Sequence, residues 1–447
     1  MIAILIALIS ILIIYLLIFN KKDFLSPSLI CCYMFFLASC AAFAGNGIWK
    51  VRISFGSILC IFFFLICVAV GESISKPISI KTSFGYFFTS KSDASEHVYI
   101  KVNVVSLLVL IGIEGITFYK YYNLIYSFAV AHGNIFSTSL MLKYYRIGLN
   151  NGDALKMSFL LTQSIQLCKF LSYVFVYILI NNFLYYKKVN LLMIIYVAIS
   201  WGIYGLSSSR GGYINFISAY LLLYFCSIMK KNRWKFREIK IKTIIISILA
   251  IITFFYLFSY LGTFTGKTQQ SNGAINQITT YAGGSIVAFD SFVNNYSFVG
   301  ADAEPKETLS GITDFLSYFG LVFEKRVVNL QFVKIGSLST NVYTAIRRYI
   351  HDFSFLGIPL IGILIGLFYG SWYKKVKLEK TDFSFVTLAY AGLAYPLFYI
   401  STDDMFFRGV FSIGTIYMLL YFSLAWIWLK YKIKKSKRRY TSACVND

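Results

Sequence analysis

The sequence predicts an all-α polytopic membrane protein of about eleven transmembrane helices, and three observations predict it. Hydrophobic residues make up 58% of the 447-residue chain and charged residues only 14%, with a mean hydropathy of +0.68, a composition that water does not dissolve. The apolar residues gather in runs of the roughly 20 residues a helix needs to cross about 30 Å of hydrocarbon. The basic residues, which give a net charge of +23, sit in short blocks between those runs. That arrangement is a topology signal rather than a nucleic-acid footprint. The bilayer is therefore the first partner, nucleic acid is not one, and residues 1–447 form a single membrane domain.

The runs are, in order, 2–19, 24–44, 53–71, 100–118, 158–180, 189–206, 211–229, 243–262, 353–373, 383–400 and 409–429. The first has no basic residue before it and no small-residue cleavage signal after it, while Lys21 and Lys22 follow. It reads as a retained span and not a signal peptide. Seven of the eight cysteines lie inside apolar runs, and no disulfide framework or CxxC spacing is present. They read as small buried hydrophobes.

Orientation follows from the basic blocks. KKNRWKFREIKIK (230–242) holds seven basic residues and one acid, 374–380 holds four basic residues, and the tail from Lys430 to Arg439 holds seven. The positive-inside rule makes all three cytoplasmic, the tail 430–447 included. Eleven spans then put the amino terminus outside. The less apolar stretch 263–348, between the eighth and ninth runs, becomes a long extracytoplasmic loop. Within it, residues 281–293 and 315–333 are amphipathic and read as short helices lying in the interface or dipping partway into the protein.

Several polar clusters fall on the outer side. In GLSSSRGGYINF (205–216), serines and glycines bracket Arg210 at the mouth of the seventh span. Hydroxyls, open backbone N–H groups, a helix amino terminus and a guanidinium suit a phosphate group, although a snorkelling arginine has the same sequence. In NVYTAIRRYIHD (341–352), helical spacing makes Arg347 and His351, and Arg348 and Asp352, i,i+4 neighbours. Two cations, an imidazole and a carboxylate crowd one helix end, as a site or as an interfacial anchor. In STDDMFFR (401–408), the adjacent Asp403 and Asp404 can raise one another's pKa and supply a base, bind a divalent cation, or pair with Arg408. The loop interleaves acids such as Asp290 with rings such as Tyr281, a pattern shared by glycan-binding surfaces and interfacial loops; Tyr343 is a further ring of this kind. Glu114 and Lys169 are single intramembrane charges, for which a mutual structural pair is the simplest expectation. No metal set, Walker A loop, GxGxxG, HExxH or GxSxG motif is present.

SSSRGG (207–212), YAGGSIVAFD (281–290) and STNVYTAIRRYIHDFSFLG (339–357), in this order and topological placement, resemble the bacterial O-antigen and oligosaccharide repeat-unit polymerases, the Wzy family. The layout covers most of the chain, the motifs about a tenth. Where the family often has Asp-Phe-Gly, this chain has Asp352-Phe353-Ser354, with Gly357 later. The resemblance implies an architecture similar to GT-C-type membrane glycosyltransferases, in a bacterial inner membrane, with a periplasmic amino terminus and a cytoplasmic carboxyl terminus. It implies transfer of a growing glycan from an undecaprenyl-pyrophosphate carrier to the non-reducing end of a new carrier-linked repeat unit at the periplasmic face. A polysaccharide chain-length regulator is a further implied partner.

Under that resemblance Arg210 and Arg347 or Arg348 bind the pyrophosphate, and His351 or Asp352 serves the acceptor. The residues themselves add Arg408 as a further pyrophosphate candidate, Asp403 and Asp404 as further catalytic candidates, and Asp290, Tyr281 and Tyr343 as glycan contacts. The chemistry needs no cofactor. A lipid-linked oligosaccharide flippase or an O-antigen ligase is the alternative. A flippase predicts internal pseudo-symmetry and polar groups through the full membrane depth, neither of which is evident in the sequence.

Overall fold

The computed structural model describes residues 1–49, 52–75, 99–133, 137–151, 157–207, 210–235, 279–296, 305, 307–321, 330–336, 338–379 and 381–443. Among these, eight helices are long and apolar enough to cross a membrane, and two shorter apolar helices accompany them. The protein is an all-α, multi-pass membrane protein, with one two-stranded hairpin among the described residues. The expected span 243–262 lies outside the described residues.

The first half contains α1 (Ile2–Phe19), α2 (Pro27–Trp49), α3 (Phe55–Ser75), α4 (Val104–Ala131), α5 (Thr138–Asn151), α6 (Phe159–Tyr186), α7 (Leu191–Leu206) and α8 (Arg210–Lys231). Side-chain caps start at least five of them. Ser54, Asn103, Ser137, Ser158 and Asn190 accept the N–H groups of Ser57, Val105, Leu140, Leu161 and Leu192, which have no partner within the first helical turn. Ile4, Ile11, Ile14 and Ile18 stay exposed along one side of α1 while Leu5, Ile9, Leu12 and Leu16 are buried. An apolar outer face next to an apolar inner one is what lipid solvent permits.

One helix departs from expectation. α5 occupies part of 119–157, which hydropathy assigns to a loop. It forms because Met141, Leu142 and Tyr145 bury against Tyr121, Ile125 and Phe128 of α4.

The second half contains α9 (Gly284–Asn294), α10 (Ser310–Tyr318), the hairpin β1 (Val333–Ile335) and β2 (Leu338–Thr340), α11 (Ile346–Phe353), α12 (Gly357–Leu378), α13 (Phe385–Leu393), α14 (Tyr395–Tyr399) and α15 (Ile413–Ala443). The strands pair antiparallel, Val333 opposite Thr340. Gly284 to Asp290 of α9 are all buried, so this amphipathic segment dips into the protein instead of lying in the interface. Of the second amphipathic stretch, 322–329 lie outside the described residues, and the helix in that region is α10. Basic residues from Lys430 onward continue along α15.

The expected span 383–400 is broken between α13 and α14. Pro396 has no N–H to offer the Gly392 carbonyl, which interrupts the helix at Ala394. Tyr369 of α12 donates its hydroxyl to the Leu393 carbonyl at 3.0 Å, satisfying a backbone acceptor that lipid would leave bare.

α3 and α12 pack closest of all. A Cβ on Gly366 would overlap the carbonyl oxygen of Val68, and one on Gly71 would overlap that of Ile363. Small residues let two membrane helices approach backbone to backbone where lipid offers no hydrophobic drive for association.

Hydrogen bonds divide the bundle into two ends. At one, Lys377 pairs with Asp23 at 2.7 Å, Lys230 donates to Thr387 at 2.6 Å, Lys231 donates to the Leu184 carbonyl at 2.7 Å and Glu72 accepts from Ser28 N–H at 2.9 Å. The segments expected inside thus share one end. At the other, Asp290 accepts from the N–H and hydroxyl of Ser54 at 2.7 and 2.6 Å, and Ala345 N–H reaches the Ile400 carbonyl at 3.1 Å.

Candidate functional site

The second end collects the ionisable side chains, and α11 is its frame. Ile346, Tyr349 and Ile350 are buried, which fixes the helix rotation and turns Arg347, Arg348, His351 and Asp352 toward the surrounding loops. Tyr349 packs on Phe64 with ring centroids 6.0 Å apart. After Phe353 the chain reverses through Ser354 at φ 55° and ψ −163°, a region that glycine adopts readily and other residues do not. A tight turn therefore follows Asp352-Phe353 although serine occupies it. Gly357 then lets the next helix start against the Tyr349 carbonyl.

Arg347 is buried between two rings, its guanidinium carbon 5.0 Å from the Phe292 centroid and 4.7 Å from that of Tyr343. Its Nη1 pairs with Glu307. Arg348 donates from Nε to Asp403 at 3.2 Å and from Nη1 to the Glu307 carbonyl at 3.4 Å. The i,i+4 partnership of Arg348 with Asp352 expected on the helix face is not formed. Asp352 instead receives the Thr308 N–H at 2.6 Å and the Glu307 N–H at 3.1 Å on one oxygen, and His351 Nδ1 at 2.8 Å on the other. The His351 Nε2 lies 3.7 Å from Glu307, and its side chain is 36% exposed. Because an ionised carboxylate only accepts hydrogen bonds, the proton of this contact sits on Nδ1, which leaves Nε2 on the Glu307 side of the ring.

The 401–408 turn completes the cluster. Asp403 joins Arg348 to Arg408, whose Nη1 lies 2.6 Å away and whose side chain is 38% exposed. Asp404 is fully buried and accepts the Tyr349 hydroxyl at 3.0 Å and the Phe406 N–H at 2.9 Å, while its Oδ2 has no hydrogen-bond partner among the described residues. Burial above all, reinforced by the neighbouring Asp403, pushes its carboxyl up to about 7. Gly311 of α10 packs against the backbone of Phe407 and Arg408, seating α10 on this turn.

The structure thus brings together Arg347, Arg348, His351, Asp352, Asp403, Asp404 and Arg408, with Tyr343 stacked behind Arg347. Asp290 lies on α9, two residues before Phe292, and is engaged by Ser54 and by Asn294 at 3.1 Å. Tyr281 is half-buried in a π-helical turn, 279–283. Arg210 opens α8, and its side chain lies outside the described residues. The next carbonyl, of Gly211, accepts the Tyr399 hydroxyl, which sets that helix start beside the 401–408 turn. Glu307 and Thr308 were not singled out from the sequence, because nothing local distinguishes Glu307 from the other loop acids. The expected Glu114–Lys169 pair is absent: Glu114 accepts from Ser200, and Lys169 lies over aromatic rings. Among the described residues no three His, Cys, Asp or Glu side chains converge as metal ligands.

Chemically, the cluster offers a half-buried imidazole with its Nδ1 proton fixed by a carboxylate, an exposed guanidinium, and two buried guanidiniums held in ion pairs. Comparison of the chain with protein-family models, with curated proteins and with solved structures finds no match in any of the three.

Proposed function

We propose that this protein is a membrane glycosyltransferase that polymerises lipid-linked oligosaccharide repeat units, moving the growing glycan from an undecaprenyl-pyrophosphate carrier to the non-reducing end of a new carrier-linked unit. The observation that carries the reading is the His351–Asp352 contact at 2.8 Å, placed among Arg347, Arg348 and Arg408. The resemblance in order and placement of the three sequence motifs supports it.

In this reading His351 Nε2 takes the proton of the acceptor sugar hydroxyl as that oxygen bonds to the donor's anomeric carbon. The bond to the pyrophosphate breaks, and the leaving group departs with concentrated negative charge. Arg408, and Arg210 at the first turn of α8, are the cations proposed to meet that charge. Arg347 and Arg348 hold Glu307 and Asp403 in place and add positive potential from behind. Asp352 orients His351, since its own oxygens are already engaged. The end carrying Lys230, Lys231 and Lys377 is proposed to face the cytoplasm and the His351 end the periplasm of a bacterial inner membrane.

Deleting the gene and separating surface glycans by size tests the function. A polymerase leaves a single repeat unit capped on its acceptor, whereas loss of every repeat unit points to a flippase or a ligase and overturns the reading. Complementation with inserted, stably expressed His351→Ala should restore no ladder; full-length chains from that variant would remove His351 from the chemistry. For orientation, impermeant thiol reagents should label Lys334→Cys from outside and fail to label Lys235→Cys, and the reverse pattern would sink the topology.

A further inference from the structure

Lys169 lies ten residues on from Phe159 in the 28-residue α6, ~15 Å along the helix at 1.5 Å per residue. At that depth hydrocarbon penalises an unpaired ammonium. Its Nζ sits 5.3 Å from the Phe170 ring centroid and 5.1 Å from that of Tyr204, and among the described residues no carboxylate pairs with it. Ring faces lower the cost of a cation without neutralising it.

The side chain borders a cavity of about 100 Å³ where α6, α8, α13, α14 and the start of α15 meet. Gln166, Asn215, Tyr395 and Thr415 bring polar groups to the wall. Among the described residues, Gln166 Oε1 and Asn215 Oδ1 are buried without a hydrogen-bond partner. Turning either amide over exchanges that oxygen for an NH₂ with two donors. Gly409 also lines the cavity, and a side chain there would overlap the Tyr395 hydroxyl. A cation, two amides and the Tyr395 hydroxyl therefore converge from separate helices on a space of a few atoms, while Thr415 donates its own hydroxyl to the Gly409 carbonyl at 2.9 Å. Converging donors of this kind match a tetrahedral anion with several acceptor oxygens better than a planar carboxylate.

We propose that this cavity is an anion site for a phosphoryl group, with Lys169 as its counter-charge. The same two helices, α6 and α15, also border an apolar groove of about 420 Å³ lined by Leu171, Val174, Ala425 and Trp428. A phosphoryl group attached to a lipid chain would find an apolar surface there; a free phosphate would not use it. The site shares no residue with the His351 cluster. Its readout is anion binding rather than glycan length, so it stands or falls separately from the glycosyl-transfer reading.

The test uses the full-length protein in phospholipid-free detergent micelles, titrated with inorganic phosphate and, separately, with a short-chain prenyl monophosphate, followed by calorimetry and melting temperature. Saturable binding is expected in the wild type, retained in Lys169→Arg and weakened at least tenfold in Lys169→Met. Response to the prenyl phosphate alone assigns a lipid headgroup, and response to both assigns a general phosphoryl site. Without ligand, Lys169→Met should melt no lower than the wild type, because it removes an unpaired charge from the membrane interior. No binding of either probe to the wild type, undiminished binding to Lys169→Met, or a marked loss of stability in that variant without ligand overturns the proposal.

Discussion

The imidazole Nδ1 of His351 lies 2.8 Å from Oδ1 of Asp352, the next residue in the chain, while Oδ2 of the same carboxylate receives the N–H groups of Thr308 and Glu307. One side chain thus places the Nδ1 proton of a half-buried ring and ties the segment before α10 to α11. Replacing Asp352 with Asn keeps the shape and loses the anionic acceptor. Charge-assisted bonds contribute about 1.5–3 kcal/mol each, so the variant should melt several degrees lower. Chain extension should fall mainly in kcat, since the ring is misoriented while the substrate contacts remain. A change confined to KM would argue against orientation of His351.

Glu307 and Arg347 are each 8% exposed in their side chains, whereas Arg408 is 38% exposed where it meets Asp403. Removing one member of a buried pair strands a charge at a cost of about 3–5 kcal/mol, and an exposed pair contributes about 0–1 kcal/mol. Glu307→Ala should therefore destabilise far more than Arg408→Ala. The double variant Glu307→Ala/Arg347→Met should recover part of the loss. Thermal unfolding in detergent orders the three.

Ser354 holds φ 55° and ψ −163° between α11 and α12. That region costs a non-glycine residue about 1–3 kcal/mol. Ser354→Gly should raise stability by about 1 kcal/mol, the looser unfolded chain offsetting some of the relief. A lower melting temperature would mean that the serine turn carries no strain.

Gly366 and Gly115 are both helical glycines with opposite surroundings. A methyl on Gly366 meets the Val68 carbonyl, and one on Gly115 meets nothing within 4 Å. Gly366→Ala should part α3 from α12 and cost about 1–3 kcal/mol. Gly115→Ala should be neutral or stabilising by up to about 1 kcal/mol. Equal melting temperatures for the two variants would contradict the close approach.

Burial, reinforced by the neighbouring Asp403, pushes the Asp404 carboxyl up to about 7 in the folded protein, against about 3.9 for an ordinary aspartate. Between those values the folded state binds more protons than the unfolded one, so stability falls as pH rises from about 4 to 7 and levels off above. Asp404→Asn keeps an acceptor for Tyr349 and the Phe406 N–H and removes the titration. Its melting temperature should depend less on pH across 5 to 8 than that of the wild type, and identical pH profiles would place the effect elsewhere.

Among the described residues eight of the eleven expected spans coincide with helices long and apolar enough to cross a membrane, 189–206 and 383–400 coincide with shorter apolar helices, and 243–262 lies outside the described residues. Hydropathy reads spans well because transfer into hydrocarbon is a local, additive property of the run itself. The same window misses α5, whose stability comes from Tyr121, Ile125 and Phe128 on another helix. It also passes over the break before Pro396, since hydropathy does not register a missing N–H. Arg347, Arg348, His351 and Asp352 were legible as a cluster from helical spacing.

Their partners were not legible. Arg348 skips the acid four residues away for Asp403, 55 positions along the chain, and Asp290 meets Ser54 across 236 positions.

The sequence alone determined that this chain lives in a bilayer, roughly where it crosses, and that its basic blocks alternate with its unusual polar motifs. Those properties follow from composition summed over short windows. Only the tertiary structure decided which acid answers which arginine, that Asp352 is occupied by the 307–308 backbone while His351 stays open, and that Lys169 and Glu114 go separate ways. Ion pairs and hydrogen bonds depend on distances of a few ångströms between residues far apart in the chain, and those distances exist only once the helices have packed.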